Sequence, residues 1–311
     1  MNVSRKNPLT RTWVVCAVAF VCCALWGSAF PCVKIGYDLF SIASDDVAGQ
    51  IVFAGMRFAL AGILVILIGS IVNRKLLLPG KHSAAMVGKL ALVQTVLQYL
   101  FFYVGLANTT GVKSSVLVAS NVFFSILLAS CLFRYEKMTA TKITGCILGF
   151  AGVVVINLSK DGFAGGLHLT GEGFILFSAL SYAFSSVLVK KYSAREDPVT
   201  LSGWQFLAGG ILLTVCGLLM GGRIHGFTAA STGLLFYMAM ISAVAYTLWS
   251  ILLKFNPVSK VAVFGFMNPV CGVVLSALIL NEKNQAFSLQ GILALILVCL
   301  GIYQVNRVTE N

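Results

Sequence analysis

The 311-residue chain is 59% hydrophobic and only 10% charged, and its mean hydropathy is +0.94. A soluble globular protein has no use for so much apolar surface, so the composition excludes that class and indicates an integral membrane protein. The net charge of +12 does not indicate nucleic-acid binding, because the basic residues are spread thinly over polar segments without interleaved aromatic platforms.

Ten apolar runs follow one another along the chain, each near the length of about 20 helical residues that crosses roughly 30 Å of hydrocarbon. In chain order they predict helices over residues 13–33, 51–72, 86–107, 114–133, 143–158, 173–189, 201–220, 233–253, 261–280 and 289–305. Barrel strands would alternate polar and apolar residues, whereas these runs are continuously apolar. The sequence therefore predicts an all-α integral membrane protein with ten transmembrane helices.

The segments between the runs differ in their content of basic residues. With the N-terminus placed inside, sixteen of the 22 Lys and Arg residues fall on the inner side and five on the outer side, while Arg57 lies within the second run. Cytoplasmic loops carry the excess of positive charge in multi-pass proteins. This distribution predicts that both termini lie in the cytoplasm, and we expect the membrane to be a bacterial-type plasma membrane.

Sequence patterns for metal, nucleotide or redox chemistry do not stand out. The nine cysteines lie in or beside the apolar runs without the spacing of zinc or redox centres, so we interpret them as small buried hydrophobes. The glycines are dispersed through the runs, and no phosphate-binding Gly-Lys-Ser/Thr motif follows them. We expect no catalytic residue, metal, cofactor, nucleotide or nucleic-acid partner, and hence no enzyme. The expected partners are a small-molecule substrate and the lipid bilayer, with monomer and homodimer both open.

The second half of the sequence repeats the first. Residues 132–137 align with 278–283, and nine residues further on Gly145 aligns with Gly291. Residues 55–58 align with 203–206, and in the first and sixth runs Trp26 aligns with Tyr182. Because each half holds five helices, the second half must enter the membrane from the opposite side. We predict two inverted five-helix repeats, residues 1–160 and 161–311, a symmetry from which alternating access can arise.

Several short motifs resemble one transporter family over nearly the whole chain. They are the stretch Ala-Leu-Trp-Gly-Ser-Ala-Phe at 24–30, the pair Arg57 and Phe58, and the glutamates Glu136 and Glu282 that close the fourth and ninth helices. In these features the chain resembles the EamA-type, ten-helix members of the drug/metabolite transporter superfamily. The resemblance implies a secondary transporter that exports amino acids, drugs or other metabolites. It also implies a cavity lined by helices one to four and six to nine. The fourth helix departs from the pattern, with Asn121 where the family often has a proline nearby.

Polar and aromatic side chains inside the runs are the candidates for a substrate cavity, because polar groups at membrane depth face the protein interior or water. Gln94 and Gln98 are four residues apart and share one face of the third helix, with Tyr99 beside them. The complete set of candidates is Trp26, Ser28, Arg57, Gln94, Gln98, Tyr99, Asn121, Tyr182, Ser185, Tyr246, Trp249 and Asn268. Each Ser and Tyr also has a structural interpretation, in helix packing or in the headgroup belt. The set suits a zwitterionic or aromatic metabolite better than a phosphate.

Arg57 and Pro269 are singled out by their position. Arg57 is a basic residue well inside a predicted span, and it either binds a substrate carboxylate or a gating partner, or serves folding through carbonyl contacts. Pro269 follows Asn268 deep in the ninth helix and is a candidate hinge, with a static kink as the alternative. No predicted span holds a central Asp or Glu, so proton coupling, the direction of transport and the substrate stay open.

Two other functional classes fit the sequence less well. A nucleotide-sugar or phosphate-ester exchanger should carry several basic residues within its spans, and Arg57 stands alone there. A non-transporting scaffold or receptor should carry a sizeable soluble domain, whereas the segments between the runs are short. Export of amino acids or related small metabolites and drugs is therefore the favoured function.

Overall fold

The computed structural model describes residues 7–43, 45–80, 83–109, 114, 117–157, 168–279 and 289–307. Within these ranges the regular structure is helical and no strand occurs. The ten helices, α1 to α10, are Thr12–Leu39, Val47–Val72, 84–107, Leu117–Leu132, Ala140–Asn157, Leu169–Tyr192, Pro198–Leu219, Ala229–Phe255, 258–279 and Leu289–Arg307. The all-helical prediction is confirmed.

The helices divide by length of apolar sequence. Helices α1, α2, α3, α6, α7 and α8 are long and apolar enough to cross a membrane, and α4, α5, α9 and α10 contain shorter apolar stretches. Several helices are longer than the apolar runs that predicted them: α1 continues through Lys34 and Asp38 to Leu39, and α6 begins at Leu169 and includes Glu172. Hydropathy marks the apolar core of a helix, whereas backbone hydrogen bonding continues into its polar ends.

Local sequence explains where several helices begin. The Asp46 carboxylate caps α2 by accepting a hydrogen bond of 2.8 Å from the backbone of Gly49. At α7, Asp197 accepts from the backbone of Thr200 at 2.9 Å, and Pro198 occupies the first turn, where no N–H is needed. At α8, Thr228 and Ser231 form a reciprocal capping box.

The contacts between helices show an approximate twofold symmetry that exchanges the two halves of the chain. Helix α2 packs on α7, and α5 packs on α10. Helix α1 contacts α8 and α9, and its counterpart α6 contacts α3 and α4. Exchanging the halves therefore reproduces the packing pattern, as expected of inverted five-helix repeats.

The crossing of α2 and α7 shows the same symmetry at the level of residues. Four glycines allow the two backbones to approach closely: Gly55, Gly62, Gly203 and Gly210. A Cβ on Gly62 would lie 2.3 Å from the Leu207 nitrogen, and one on Gly210 would lie 2.2 Å from the Ala59 nitrogen. Both pairs of equivalent residues are 148 positions apart, in agreement with the sequence alignment. Small residues at a membrane-helix crossing favour this close packing.

The crossing of α5 and α10 corrects one part of that alignment. Gly301 lies against Gly145 and Gly149, while Gly152 lies against Ala294 and Val298. The first set of contacts maps onto the second when each residue of α5 is aligned with the residue 149 positions later in α10. Gly145 then corresponds to Ala294, so its predicted alignment with Gly291 is wrong. The shift of three residues is almost one helical turn, which keeps the same face in contact.

One end of the bundle, which we call the amino-terminal face, carries hydrogen bonds between the two halves. Asn256, at the end of α8, donates to the Leu9 carbonyl at 2.9 Å. Glu136, between α4 and α5, accepts from Lys142 Nζ at 2.6 Å and from the backbone nitrogen of Ser259, in the first turn of α9, at 3.0 Å. The Ser259 hydroxyl also donates to Glu136. Glu282, its equivalent in the sequence, lies outside the described residues.

A second carboxylate joins the halves at the same face. Glu196, between α6 and α7, accepts from the Ser83 hydroxyl at the start of α3. Burial alone would raise the pKa of Glu196, but the hydrogen bonds from Ser83 and from the backbone nitrogens of Asp197 and Gly80 hold its pKa below the ordinary value. Ionised Glu196 therefore stabilises this contact between the halves.

Candidate substrate site

Aromatic side chains from several helices meet in the interior of the bundle. Trp26 of α1 packs edge to face on Tyr246 and Trp249 of α8, with ring centroids 5.0 and 5.1 Å apart. Phe206 of α7 lies 4.9 Å from Tyr246 and stacks on Phe58 of α2 at 5.4 Å. We call these five residues, together with Tyr99 of α3 and Tyr182 of α6, the central aromatic cluster. It brings together the predicted residues Trp26, Tyr99, Tyr182, Tyr246 and Trp249.

The twofold axis passes through this cluster. The Tyr99 and Tyr246 hydroxyls are hydrogen-bonded at 2.7 Å, and these two residues are 147 positions apart. Phe58 and Phe206, 148 positions apart, stack with their planes inclined by 15°. Equivalent residues that touch one another must lie beside the axis. The cluster therefore lies where the two halves meet, which is where inverted-repeat transporters place their substrates.

Arg57 lies beside the cluster with its side chain turned inward. Only 5% of the residue is exposed. Its Nε donates to the Ser242 hydroxyl of α8 at 3.0 Å, and its guanidinium carbon lies 5.0 Å from the centre of the Phe58 ring. Ser242 in turn donates to the Met238 carbonyl at 3.2 Å, which satisfies its own hydrogen. No described carboxylate pairs with Arg57.

The other half of the protein makes the same polar contact without a charge. Thr95 of α3 donates to the Gln205 side chain of α7 at 2.8 Å. Gln205 is the repeat equivalent of Arg57, 148 positions on, and Ser242 is the equivalent of Thr95, 147 positions on. Each half thus ties its second helix to the third helix of the other half, once through an arginine and once through a glutamine.

The predicted amides of α3 lie on an irregular helix. Residues Ala91–Leu97 form a π-helical segment between two α-helical ones, and such insertions are frequent at functional sites. Gln94 is buried, and the Gln98 carbonyl oxygen of the side chain is buried without a hydrogen-bond partner among the described residues. The backbone carbonyl of Gln98 accepts from Ser178 of α6 at 2.7 Å. Gln98 therefore offers a free acceptor next to Tyr99.

Two predicted serines do not join the cluster. Ser185 is fully buried and donates to the Tyr182 carbonyl of its own helix at 2.7 Å, so its hydroxyl is used inside the helix. Ser28 donates to the Leu25 carbonyl at 2.8 Å and lies 3.3 Å from the hydroxyl of Tyr237. In contrast, the indole nitrogen of Trp26 is buried and has no partner among the described residues.

Asn121, Asn268 and Pro269 belong to the α4 and α9 pair. The Asn121 side-chain oxygen lies 3.6 Å from the place that a Cβ on Gly265 would occupy. The Asn268 side-chain oxygen is buried without a partner in the described part of the chain. Pro269 is the third residue of the segment Met267–Ile279, directly after the 3₁₀ turn Val263–Phe266. Pro269 therefore lies inside α9, where its missing N–H leaves a carbonyl of the preceding turn without its helical donor.

Sequence reasoning missed four residues of this region: Phe58, Thr95, Gln205 and Phe206. The signal was present for Phe58 and Phe206, because the repeat alignment placed them opposite each other. Thr95 and Gln205 resemble ordinary polar residues of a membrane helix until their hydrogen bond is seen beside that of Arg57 and Ser242.

A separate groove of about 430 Å³ opens on the side of the bundle. It is lined by residues of α2, α7 and α8 that are apolar except for Thr214, among them Ile63 and Ile211, which are 42% and 52% exposed. Such a surface suits lipid chains, and it does not include the polar groups of the central cluster.

Comparison with known proteins gives consistent results. The model of the EamA-like transporter family matches residues 13–158 and 169–307. An uncharacterized transporter, YvbV, from Bacillus subtilis is 29% identical over 95% of this chain and 93% of its own length. A protein of Escherichia coli named "Probable amino-acid metabolite efflux pump" is 30% identical over 66% of this chain and 70% of its own. A crystal structure at 16% identity superposes with a TM-score of 0.79, covering 95% of this chain and 97% of the other, and supports the fold.

Proposed function

Since the chain belongs to the EamA-like transporter family, we propose that it exports amino acids or related small metabolites by alternating access. The observation that carries this proposal is the central aromatic cluster on the twofold axis, where Tyr99 and Tyr246 meet at 2.7 Å. A site on the axis of two inverted repeats can be opened to either side by exchanging the conformations of the halves. The name of the related efflux pump supports amino-acid metabolites as the first solutes to test.

The substrate would contact Trp26, Arg57, Gln98, Tyr99, Tyr182, Tyr246 and Trp249. Trp26 and Gln98 contribute buried polar atoms without partners in the described structure, which a substrate or water can satisfy. Aromatic faces provide a large apolar contact at a small cost in side-chain entropy. We place Gln94, Asn121 and Asn268 at the edge of this site, and Ser28 and Ser185 in the supporting structure.

Alternating access requires that contacts between the halves break on one side while they form on the other. At the amino-terminal face the Glu136 and Glu196 carboxylates bridge the halves, and we propose that they close this entrance. Pro269, after the 3₁₀ turn of α9, is our candidate for the hinge. We further propose that each repeat, residues 1–160 and 161–311, moves as one unit. Both termini would face the cytoplasm of a bacterial-type cell.

A counterflow screen tests the proposal. Purified protein in liposomes preloaded with unlabelled amino acids, nucleobases or amines should accumulate the matching labelled solute transiently. Liposomes without protein correct for passive leak. Accumulation of at least one solute is expected, and no exchange of any solute would refute transport by this chain alone.

A further inference from the structure

We infer that the solute carries a carboxylate and that Arg57 binds it. This inference rests on the proposed function, because it assigns a substrate class to the same site. Arg57 is the eleventh residue of α2, so it lies about 15 Å along the helix at a rise of about 1.5 Å per residue. Arg57 also lies inside the apolar run of residues 51–72, within a helix long and apolar enough to cross a membrane.

A guanidinium at this depth requires a compensating negative charge or a set of acceptors. The one hydrogen bond that its side chain makes to a described residue comes from Nε, to Ser242. The two terminal nitrogens make no hydrogen bond to a described residue. They present the parallel pair of donors that matches the two oxygens of a carboxylate.

The repeat symmetry separates the charge of Arg57 from its structural contact. In the other half, the neutral pair of Thr95 and Gln205 makes the equivalent link between helices at 2.8 Å, against 3.0 Å for Arg57 and Ser242. A glutamine is thus sufficient to join a second helix to a third helix in this fold. The positive charge is additional to that contact, and it breaks the symmetry of the site.

The groups around Arg57 favour a particular chemistry for the part of the solute that adjoins its carboxylate. The hydroxyls of Tyr99 and Tyr246, hydrogen-bonded to each other at 2.7 Å, belong to the cluster that Arg57 adjoins. Phe58 and Phe206 provide apolar faces beside it. One cation among neutral hydroxyls and rings suits a single carboxylate on an apolar or aromatic body. A dianionic phosphate would leave one charge unmatched.

Three probes of one size test this inference in counterflow: L-phenylalanine, 3-phenylpropionate and L-phenylalaninamide. The first two carry the carboxylate, with and without an amine, and the third replaces the carboxylate by a neutral amide. We expect exchange of at least one carboxylate, and at least tenfold slower exchange of the amide. Exchange of both carboxylates would identify the carboxylate alone as the recognised group, and exchange of L-phenylalanine alone would add the ammonium.

The matched variants are Arg57→Gln, which makes the two halves alike at this position, and Gln205→Leu, which removes the equivalent contact without touching the charge. We expect Arg57→Gln to slow carboxylate exchange at least tenfold relative to Gln205→Leu. Arg57→Lys, with the charge but without the paired donors, should fall between. Monodisperse elution in detergent verifies folding, and the wild-type comparison of probes stands even where a variant fails to fold.

Two results would overturn the inference while leaving transport intact. One is wild-type protein that exchanges L-phenylalaninamide, or any solute of the wider screen without a carboxylate, as fast as its carboxylate. The other is folded Arg57→Gln with wild-type carboxylate exchange. If no solute at all is exchanged, the proposed function fails and this inference fails with it.

Discussion

Replacing Glu136 by alanine should release α9 from the α4–α5 segment at the amino-terminal face. The substitution removes the ion pair with Lys142 at 2.6 Å, in which the two side chains are 9% and 8% exposed, and the acceptor for the Ser259 nitrogen at 3.0 Å. Hydrogen bonds to a charged group contribute about 1.5 to 3 kcal/mol each. Lys142 keeps its bond to the Lys137 carbonyl at 2.9 Å, which offsets part of the loss.

We therefore expect the first turn of α9 to lose about 2 kcal/mol of protection, which corresponds to roughly thirtyfold faster amide exchange. Hydrogen–deuterium exchange with mass spectrometry, on a peptide covering residues 256–262, measures this directly. The matched control is Asp197→Ala, which removes a cap of the same kind from α7 but joins no two halves. It should loosen the start of α7 and leave the start of α9 protected.

Glu136→Ala should also change how the halves move, since the lost contacts link them. We expect faster amide hydrogen exchange in the α4–α5 segment as well as in α9. We also expect a rate of solute counterflow that differs from that of Asp197→Ala. Unchanged protection of residues 256–262 in Glu136→Ala would refute the role of Glu136 as a link between the halves. So would equal loss there in both variants.

Other parts of the structure give predictions of the same kind. Gly210→Val should lower the melting temperature in detergent by several degrees or prevent folding, because a Cβ there would lie 2.2 Å from the Ala59 nitrogen. The control Gly88→Ala, with open space around the substituted residue, should melt like wild type. Similar melting temperatures for both variants would contradict the close crossing of α2 and α7. Tyr99→Phe removes the hydroxyl bonded to Tyr246 at 2.7 Å, and we expect at least a threefold rise in the half-saturating solute concentration, with unchanged folding. Glu196 has a lowered pKa in the folded protein, so its stabilisation is present above the unfolded pKa and is lost as the pH falls through the folded value. The melting temperatures of wild type and Glu196→Gln should therefore differ at pH 7 and converge as the pH falls past the ordinary Glu pKa of about 4.3 and through the lowered folded value, and a constant difference would contradict the shift.

Hydropathy was sufficient to find the ten helices because each one is continuously apolar over much of its length, although the apolar stretches of α4, α5, α9 and α10 are shorter than those of the other six. It could not find their ends: α1 runs on to Leu39 past Lys34, because a helix end depends on caps and contacts rather than on apolar sequence. The repeat alignment found the crossing of α2 and α7, where aligned glycines lie at the closest approach of the two backbones. It failed by three residues at α5 and α10, where similar apolar side chains leave the register ambiguous in sequence.

The site was predictable in part. The sequence predicted Trp26 and Tyr246 as site residues, because aromatic residues with polar groups inside a membrane span face the protein interior or a water-filled cavity. The hydrogen bond of Ser185 to its own helix could not be predicted, since such a serine has the same sequence pattern as one that faces a cavity. The relation between Arg57 and Gln205 was visible in the alignment, but its meaning depends on Ser242 and Thr95, which only the three-dimensional contacts supply.

Counterflow through the purified wild-type protein tests the central claim most directly. Liposomes loaded with an unlabelled carboxylate-bearing solute should take up its labelled form transiently, above the concentration outside, and only when the protein is present. The same trace in liposomes without protein, or no overshoot with any amino acid, metabolite or amine, would contradict transport by alternating access.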